Sequence, residues 1–362
     1  MKKVLVLVAA YPTNDGGVSL AYVHTRNLEY VKNGIDVTVL NFSSKIDYIK
    51  DGIPVISFET FKKDKNDYGL LILHAANLRN HYRFLKKYDN RFNQLLFFYH
   101  GHEVMKINKQ YSKPYDYVKH NKLRKKAEDV YDEFKLLIWK KYLRKNLYKC
   151  HFIYVSKWMK RVFDENVGYS LPIKRQQWDI TYNSVGEVFE KGQYDDSTEK
   201  KYDFVTIRGV LDGSKYAVDI VNQLAKNTPK ARFLIIGKGE FFSHYEKAIN
   251  LEWRDTWLSQ GEIIDVLQQA RYALMPTRTD AQGLMMCEMA AFGIPVITSD
   301  IEVCHEVFDG FDNAFYINND DSNISLERFL ETKYKSLKDH RFFKENTVKH
   351  EIHVIKNMLM QC

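Results

Sequence analysis

The chain has 362 residues, 45% of them hydrophobic and 28% charged, with 54 Lys and Arg against 46 Asp and Glu for a formal net charge of +8. That length exceeds one ordinary core and suits two domains, the composition is that of a soluble globular protein, and so modest a surplus does not by itself argue for nucleic acid as a partner. Cys150, Cys287, Cys304 and Cys362 lie far apart with no CxxC pair, which argues against a disulfide framework or a thiolate metal site, and no apolar run approaches the roughly twenty residues that cross a bilayer.

In chain order, the apolar residues 4–9 read as a buried first strand and not as a signal peptide, because the run is short and Tyr11-Pro12-Thr13-Asn14-Asp15-Gly16-Gly17 follows it. A helix is predicted over 19–32, then further strands at 37–42, 55–58, 70–74, 95–99 and 152–155. A second series of strands follows at 204–207, 232–236, 272–276, 296–298 and 314–317. Uninterrupted apolar strands imply burial on both faces, as in parallel sheets. Their alternation with helical stretches implies α/β architecture with two Rossmann-like doubly wound domains. The boundary falls in the polar stretch near 181–197, giving domains of 1–185 and 186–340, with 341–362 as a closing helix. Ligands are expected at the loops after the strands.

Three loops carry groups able to do chemistry. Near the C-terminus, Asp280 and Glu288 stand eight positions apart in Pro276-Thr277-Arg278-Thr279-Asp280-Ala281-Gln282-Gly283-Leu284-Met285-Met286-Cys287-Glu288. Gly283 permits close backbone approach to a ligand, the helix from about Leu284 directs free N–H groups at the loop, and Glu288 lies about one turn into it. Gly293 and Pro295 end that helix. Arg208 and Lys215 sit after the first strand of the second series. Tyr99-His100-Gly101-His102-Glu103 ends the fifth strand; it reads as a ligand-facing histidine, a structural histidine or a local surface pair, and as a metal site it lacks a second ligand cluster. A nicotinamide site needs G-x-G-x-x-G after a first strand. Neither Gly16-Gly17 nor Gly237-Lys238-Gly239 supplies it.

The stretch from Asp280 to Asp300 resembles the retaining glycosyltransferases of family 4, which have the GT-B fold. Their pattern is Glu-Gly-Phe-Gly-Leu, three residues, Glu-Ala, then Gly-x-Pro-Val; here Asp280 replaces the first Glu and Ala281-Gln282 the Gly-Phe pair. The resemblance implies that Gly16, Gly17, Gly237, Gly283, Leu284, Met285 and Glu288 bind a nucleoside diphosphate sugar. It implies that Lys215 and Arg208 neutralise the diphosphate, that Asp280 accepts hydroxyls of the transferred sugar, and that His100 approaches that sugar. From Arg208 to Lys215 the spacing is seven positions where the family has five. The last helix is implied to cross back to the first domain. The implied activity is transfer of a hexose, UDP-linked by expectation, to a glycan, lipid-linked or cell-surface polysaccharide acceptor, with no metal and no cofactor. The alternatives are a glycosyltransferase-like binding subunit that supports a catalytic partner, and a nucleotide-sugar epimerase.

Residues 106–149 hold fourteen Lys and Arg against five Asp and Glu, a surplus larger than that of the whole chain. With its interleaved aromatics the segment suits an anionic membrane surface or an anionic acceptor, through Lys122, Arg124, Lys125 and Lys126, or a long solvated helix with one packed face. No nucleic-acid-binding module is recognisable. The expected location is cytoplasmic, peripheral at the inner face of the membrane.

Overall fold

The computed structural model describes residues 3–14, 19–119 and 122–361. Contacts divide the chain into two units: residues 1–106, 129–183 and 344–362 form the first, and 107–128 with 184–343 the second. Residues 107–128, which the sequence reading put in the first domain, therefore pack with the second.

The first unit is built on eight strands: β1 (Lys3–Val8), β2 (Val37–Asn41), β3 (Tyr48–Lys50), β4 (Ile53–Ile56), β5 (Tyr68–His74), β6 (Gln94–Tyr99), β7 (Cys150–Tyr154) and β8 (Trp178–Ile180). Their order is β3-β4-β2-β1-β5-β6-β7-β8, parallel except for the β3–β4 pair. The central strands are buried along their length because helices cover both faces, which is why their sequences are runs of Val, Leu, Ile and Phe. The helix Val348–Met360 brings Val348, Ile352, Ile355, Met358 and Leu359 into the same core as Val4, Val6 and Val23. It begins seven residues after the 341 expected from the sequence; residues 340–342 form a 3-10 turn in the second unit.

A fully buried ion pair fixes that helix. Arg26, on helix Ala21–Lys32, donates from Nε to Glu351 Oε1 at 3.0 Å and Oε2 at 3.2 Å. Tyr30 donates its hydroxyl to the same carboxylate at 2.6 Å, and Arg26 Nη2 donates to Asn183 Oδ1 at 2.9 Å.

The second unit has a parallel six-stranded sheet: β9 (Tyr202–Val210), β10 (Phe233–Lys238), β11 (Leu251–Arg254), β12 (Ala270–Met275), β13 (Val296–Ser299) and β14 (Ala314–Ile317), ordered β11-β10-β9-β12-β13-β14. The chain leaves β9 first to one side and later to the other, so the C-terminal ends of β9 and β12 flank a topological switch point, where open α/β sheets bind ligands. Three strands escaped the sequence reading: β3, β8 and β11. They are three or four residues long and mostly not buried, so they carry no apolar run.

Candidate functional site

Arg208 stands at the end of β9, buried, and donates from Nη2 to the carbonyl of Pro276, just past β12, at 2.6 Å. Its Nε is buried with no hydrogen-bond partner among the described residues. An unpaired buried guanidinium N–H is costly. Burial lowers its proton affinity, and Asp280 acts the other way.

Lys215 lies on the 3-10 turn Ser214–Tyr216, its ammonium 4.7 Å from the Tyr216 ring and 5.4 Å from that of Tyr111. Burial works to lower its pKa, but Tyr216, Tyr111 and Asp280 outweigh it and hold the ammonium charged. The turn is clamped to the loop after β12. Arg278 N–H and Thr277 Oγ1 donate to the Lys215 carbonyl at 2.8 and 3.0 Å, and Arg278 makes two bonds to Asp219, at 2.8 and 2.6 Å. Lys215 and Asp280 are thus carried on loops locked to one another. The sequence reading missed this Arg278–Asp219 clamp, along with the Tyr111 and Tyr216 rings; an Arg two positions before the acidic residue was the available signal.

Asp280 is partly exposed and accepts from the Gln282 amide at 3.3 Å, turning the chain into helix Leu284–Phe292. Gly283 begins that helix at φ 73°, and no side chain caps it. Its first N–H groups therefore gain no acceptor from a capping side chain. Glu288, in the middle of the helix, is buried and accepts from the Gly186 amide; burial raises its pKa from 4.5 to about 7. At the end of β10, a Cβ on Gly237 would lie 2.4 Å from the Arg208 carbonyl, so only glycine fits beside β9 there. Gly16 and Gly17 lie outside the described residues, as does the side chain of Lys122.

His100 belongs to the first unit. Its Nε2 is 3.1 Å from His74 Nδ1, and the Tyr22 ring centre is 4.8 Å away. Burial, with Arg26 nearby, drives the His100 pKa well below 6.5, and burial does the same to His74. Both rings are neutral, so one must donate to the other. His74 Nε2 is buried without a partner among the described residues. Leaving a lone pair there costs less than leaving an N–H, which favours His74 donating and His100 keeping its proton on Nδ1. Glu103 is no surface residue: it is buried and accepts from the His100 and Gly101 amides at 2.9 and 2.6 Å, holding the loop.

The basic segment divides. Lys135 is buried, paired with Asp132 at 2.7 Å and donating to the His102 and Met105 carbonyls, and Lys149 donates to the Asp89 carbonyl. These cations are structural. Arg124, Lys125 and Lys126 are exposed in the first turns of helix Lys122–Asn146.

Against known proteins, structural likeness extends over the whole chain. Sucrose-phosphate synthase from Thermosynechococcus elongatus superposes with a TM-score of 0.67 over 100% of this chain and 97% of that one, at 13% identity. The fold is GT-B. A trehalose-6-phosphate structure from Escherichia coli bound with UDP-2-fluoro glucose shares the GT-B architecture at a TM-score of 0.64, over 100% of this chain and 99% of that one at 10% identity. Within the second GT-B unit, residues 205–331 match the model of the family Glycosyl transferases group 1. The O-antigen biosynthesis glycosyltransferase WclY of Escherichia coli is 28% identical over 149 residues, which are 38% of this chain and 42% of that protein. The match thus spans under half the length of that curated relative.

Proposed function

We propose that the protein is a retaining glycosyltransferase of family 4 that moves a hexose from a nucleoside diphosphate sugar, UDP-linked, to a hydroxyl of a glycan or lipid-linked acceptor in cell-surface polysaccharide synthesis. The observation that carries this reading is the gathering of Arg208, Lys215 and Asp280 at the switch point of the second unit, with Glu288 on the helix that follows Asp280, all within the stretch that matches the group 1 model. The O-antigen relative supports the acceptor class, and the UDP-sugar complex among the structural neighbours supports the donor.

In this reading Glu288 accepts the ribose hydroxyls, and the diphosphate meets Lys215, the open Nε of Arg208 and the N–H groups after Gly283. Asp280 accepts hydroxyls of the sugar, and His100, through a neutral Nδ1–H, donates to it. The acceptor hydroxyl attacks the anomeric carbon on the face the diphosphate leaves, and a diphosphate oxygen takes the proton. Catalysis is then positioning and charge stabilisation by two cations and a helix terminus, with no metal and no cofactor.

We further propose a peripheral cytoplasmic location. No described helix is long and apolar enough to cross a membrane, yet Leu123, Val130, Phe134 and Leu137 are exposed at helical spacing with Arg124, Lys141 and Arg144 exposed beside them.

Thermal shifts with UDP, GDP, ADP, CMP and NAD on the wild type and on Glu288→Ala test the donor site. A ligand at a hundred times its Kd adds about 2.7 kcal/mol, a shift of several degrees at about 2–4 degrees per kcal/mol. One nucleoside diphosphate should stabilise the wild type and not the variant. Turnover with its sugars and the anomeric configuration of the product, read by NMR, then decide retention. If no nucleotide moves the wild type, the non-catalytic binding subunit becomes the better account.

A further inference from the structure

We propose that the pocket walled by residues of 107–119 and 124–128 and by the 212–215 turn is an acceptor subsite that grips a phosphate group, so that the acceptor is a phosphorylated molecule presented beside Lys215. This rests on the donor reading above and names the acceptor's chemistry. The pocket measures about 860 Å³, within the range of small-molecule sites, and every residue lining it belongs to the second unit.

Its charge is unbalanced. Lys113, Lys119, Arg124, Lys125 and Lys215 face three carboxylates, Asp116, Glu128 and Asp212. Two of those are already engaged: Glu128 accepts from Arg124 at 3.1 Å, and Asp212 accepts from the Tyr117 hydroxyl at 2.6 Å and the Glu240 amide at 2.8 Å. Lys113, Lys119 and Lys125 have no ion pair among the described residues. Like charges around one cavity repel, and a bound anion relieves that repulsion.

The walls are anchored. The Ser112 and Ser214 hydroxyls bond at 2.8 Å, and Tyr115 donates to Asp219 at 2.9 Å. The Tyr115 ring is buried in the second unit's core with Leu211, Val218 and Phe241, and Tyr117 stacks on His244 with ring centres 4.2 Å apart. A solvated basic loop would need none of these. Ile107, Pro114 and Val118 supply an apolar wall for the part of the ligand that is not phosphate. Lys215 lines this pocket and also belongs to the proposed diphosphate site, which puts a ligand here next to the reacting groups.

The phosphate could belong to a soluble phosphosugar or to a lipid phosphate. The test is calorimetric titration of the full-length protein with glucose 6-phosphate and with farnesyl phosphate. Saturating UDP, or whichever nucleotide stabilises the wild type, fills the donor site throughout. At least one probe should bind, tighter binding of farnesyl phosphate assigning a lipid and of glucose 6-phosphate a soluble sugar. Binding should weaken at least about tenfold, or 1.4 kcal/mol, in Lys113→Gln/Lys119→Gln/Lys125→Gln. It should persist in the triple Lys→Arg variant, with nucleotide affinity unchanged in both. Single Lys119→Gln keeps the test decidable if the triple Gln variant does not melt like the wild type. Failure of both probes to bind, their exclusion by nucleotide, or full binding by the Gln variant overturns the proposal. Failure of the donor reading looks different: no nucleotide binds the wild type while a phosphate probe still does.

Discussion

At the C-terminal ends of their strands the two units use one backbone plan with opposite chemistry. Each enters the helix that follows its first strand through a non-glycine residue in the left-handed region, Leu20 at φ 54° in the first unit and Ala217 at φ 53° in the second. Beyond that turn the first unit gathers imidazoles, His74, His81 and His100, held neutral by burial. Its buried ion pairs, Arg26 with Glu351 and Lys135 with Asp132, are closed on themselves. The second gathers Arg208, Lys215, Asp280 and Glu288 and leaves part of their hydrogen-bonding capacity open. A closed pair contributes to a fold, whereas an open cluster awaits a charged ligand. Neutral imidazoles can orient hydroxyls without attracting an anion.

The largest expected effect falls on the Arg26–Glu351 pair. Glu351→Ala leaves Arg26 buried without its carboxylate and should cost about 3–5 kcal/mol in urea unfolding, with nucleotide affinity of the folded protein unchanged. A loss below about 1 kcal/mol would mean the pair is not what ties the closing helix down. Next comes the open cluster: Lys215→Gln should lower kcat by about 10²–10³-fold while stability moves by no more than about 0.5 kcal/mol, as for surface changes. A stability loss as large as that of Glu351→Ala would erase the contrast between the units.

Proton linkage sharpens the comparison because the two units should respond to pH in opposite directions. His81, with its pKa lowered from 6.5 to about 4, contributes stability that is present above pH 6.5 and is lost as pH falls towards 4. Glu288, with its pKa raised from 4.5 to about 7, contributes stability that is present below pH 4.5 and is lost as pH rises through about 7. Each amounts to about 3 kcal/mol at about 1.36 kcal/mol per unit. Denaturant titrations from pH 4 to 8 should show Glu288→Gln gaining on the wild type as pH rises and His81→Asn gaining as pH falls. Parallel pH profiles of variant and wild type would refute either assignment. Because ribose hydroxyls donate to the ionised carboxylate, wild-type nucleotide affinity should rise between pH 6 and 8. The smallest effect is that of Gly283→Ala, about 1–2 kcal/mol from forcing an alanine to φ 73°, read as a Tm shift.

What the sequence made legible was what burial writes into it. The central strands are apolar because both faces are covered, and Gly283, Glu288, Gly293 and Pro295 mark a helix with its start, its acid and its stop. The two doubly wound α/β domains followed from the strands, and the GT-B fold from the family resemblance that the 280–300 stretch carries. Pairings between distant residues were not legible. Nothing in Arg26 or Glu351 announces a partner 325 positions away, Arg278 does not reveal its bonds to Asp219, and Glu103 looked like a surface acid because a carboxylate capping its own loop has the same one-letter code as a solvated one. The placement of residues 107–128 was hidden for the same reason: Tyr115 and Tyr117 act through contacts with residues more than ninety positions on.

The closing helix has a consequence for the order in which the protein is made. Chains fold as they leave the ribosome, generally from the N-terminus. Here the first unit cannot be completed before the second has been made, because its core lacks Ile352, Ile355 and Met358, and Arg26 lacks its carboxylate, until the helix Val348–Met360 has been joined. All of residues 184–343, the bulk of the second unit, precede that helix in synthesis. The first unit is begun before the second and completed after it, and a nascent chain stalled before residue 351 exposes a buried-type arginine and an unfilled hydrophobic face to whatever chaperones attend it.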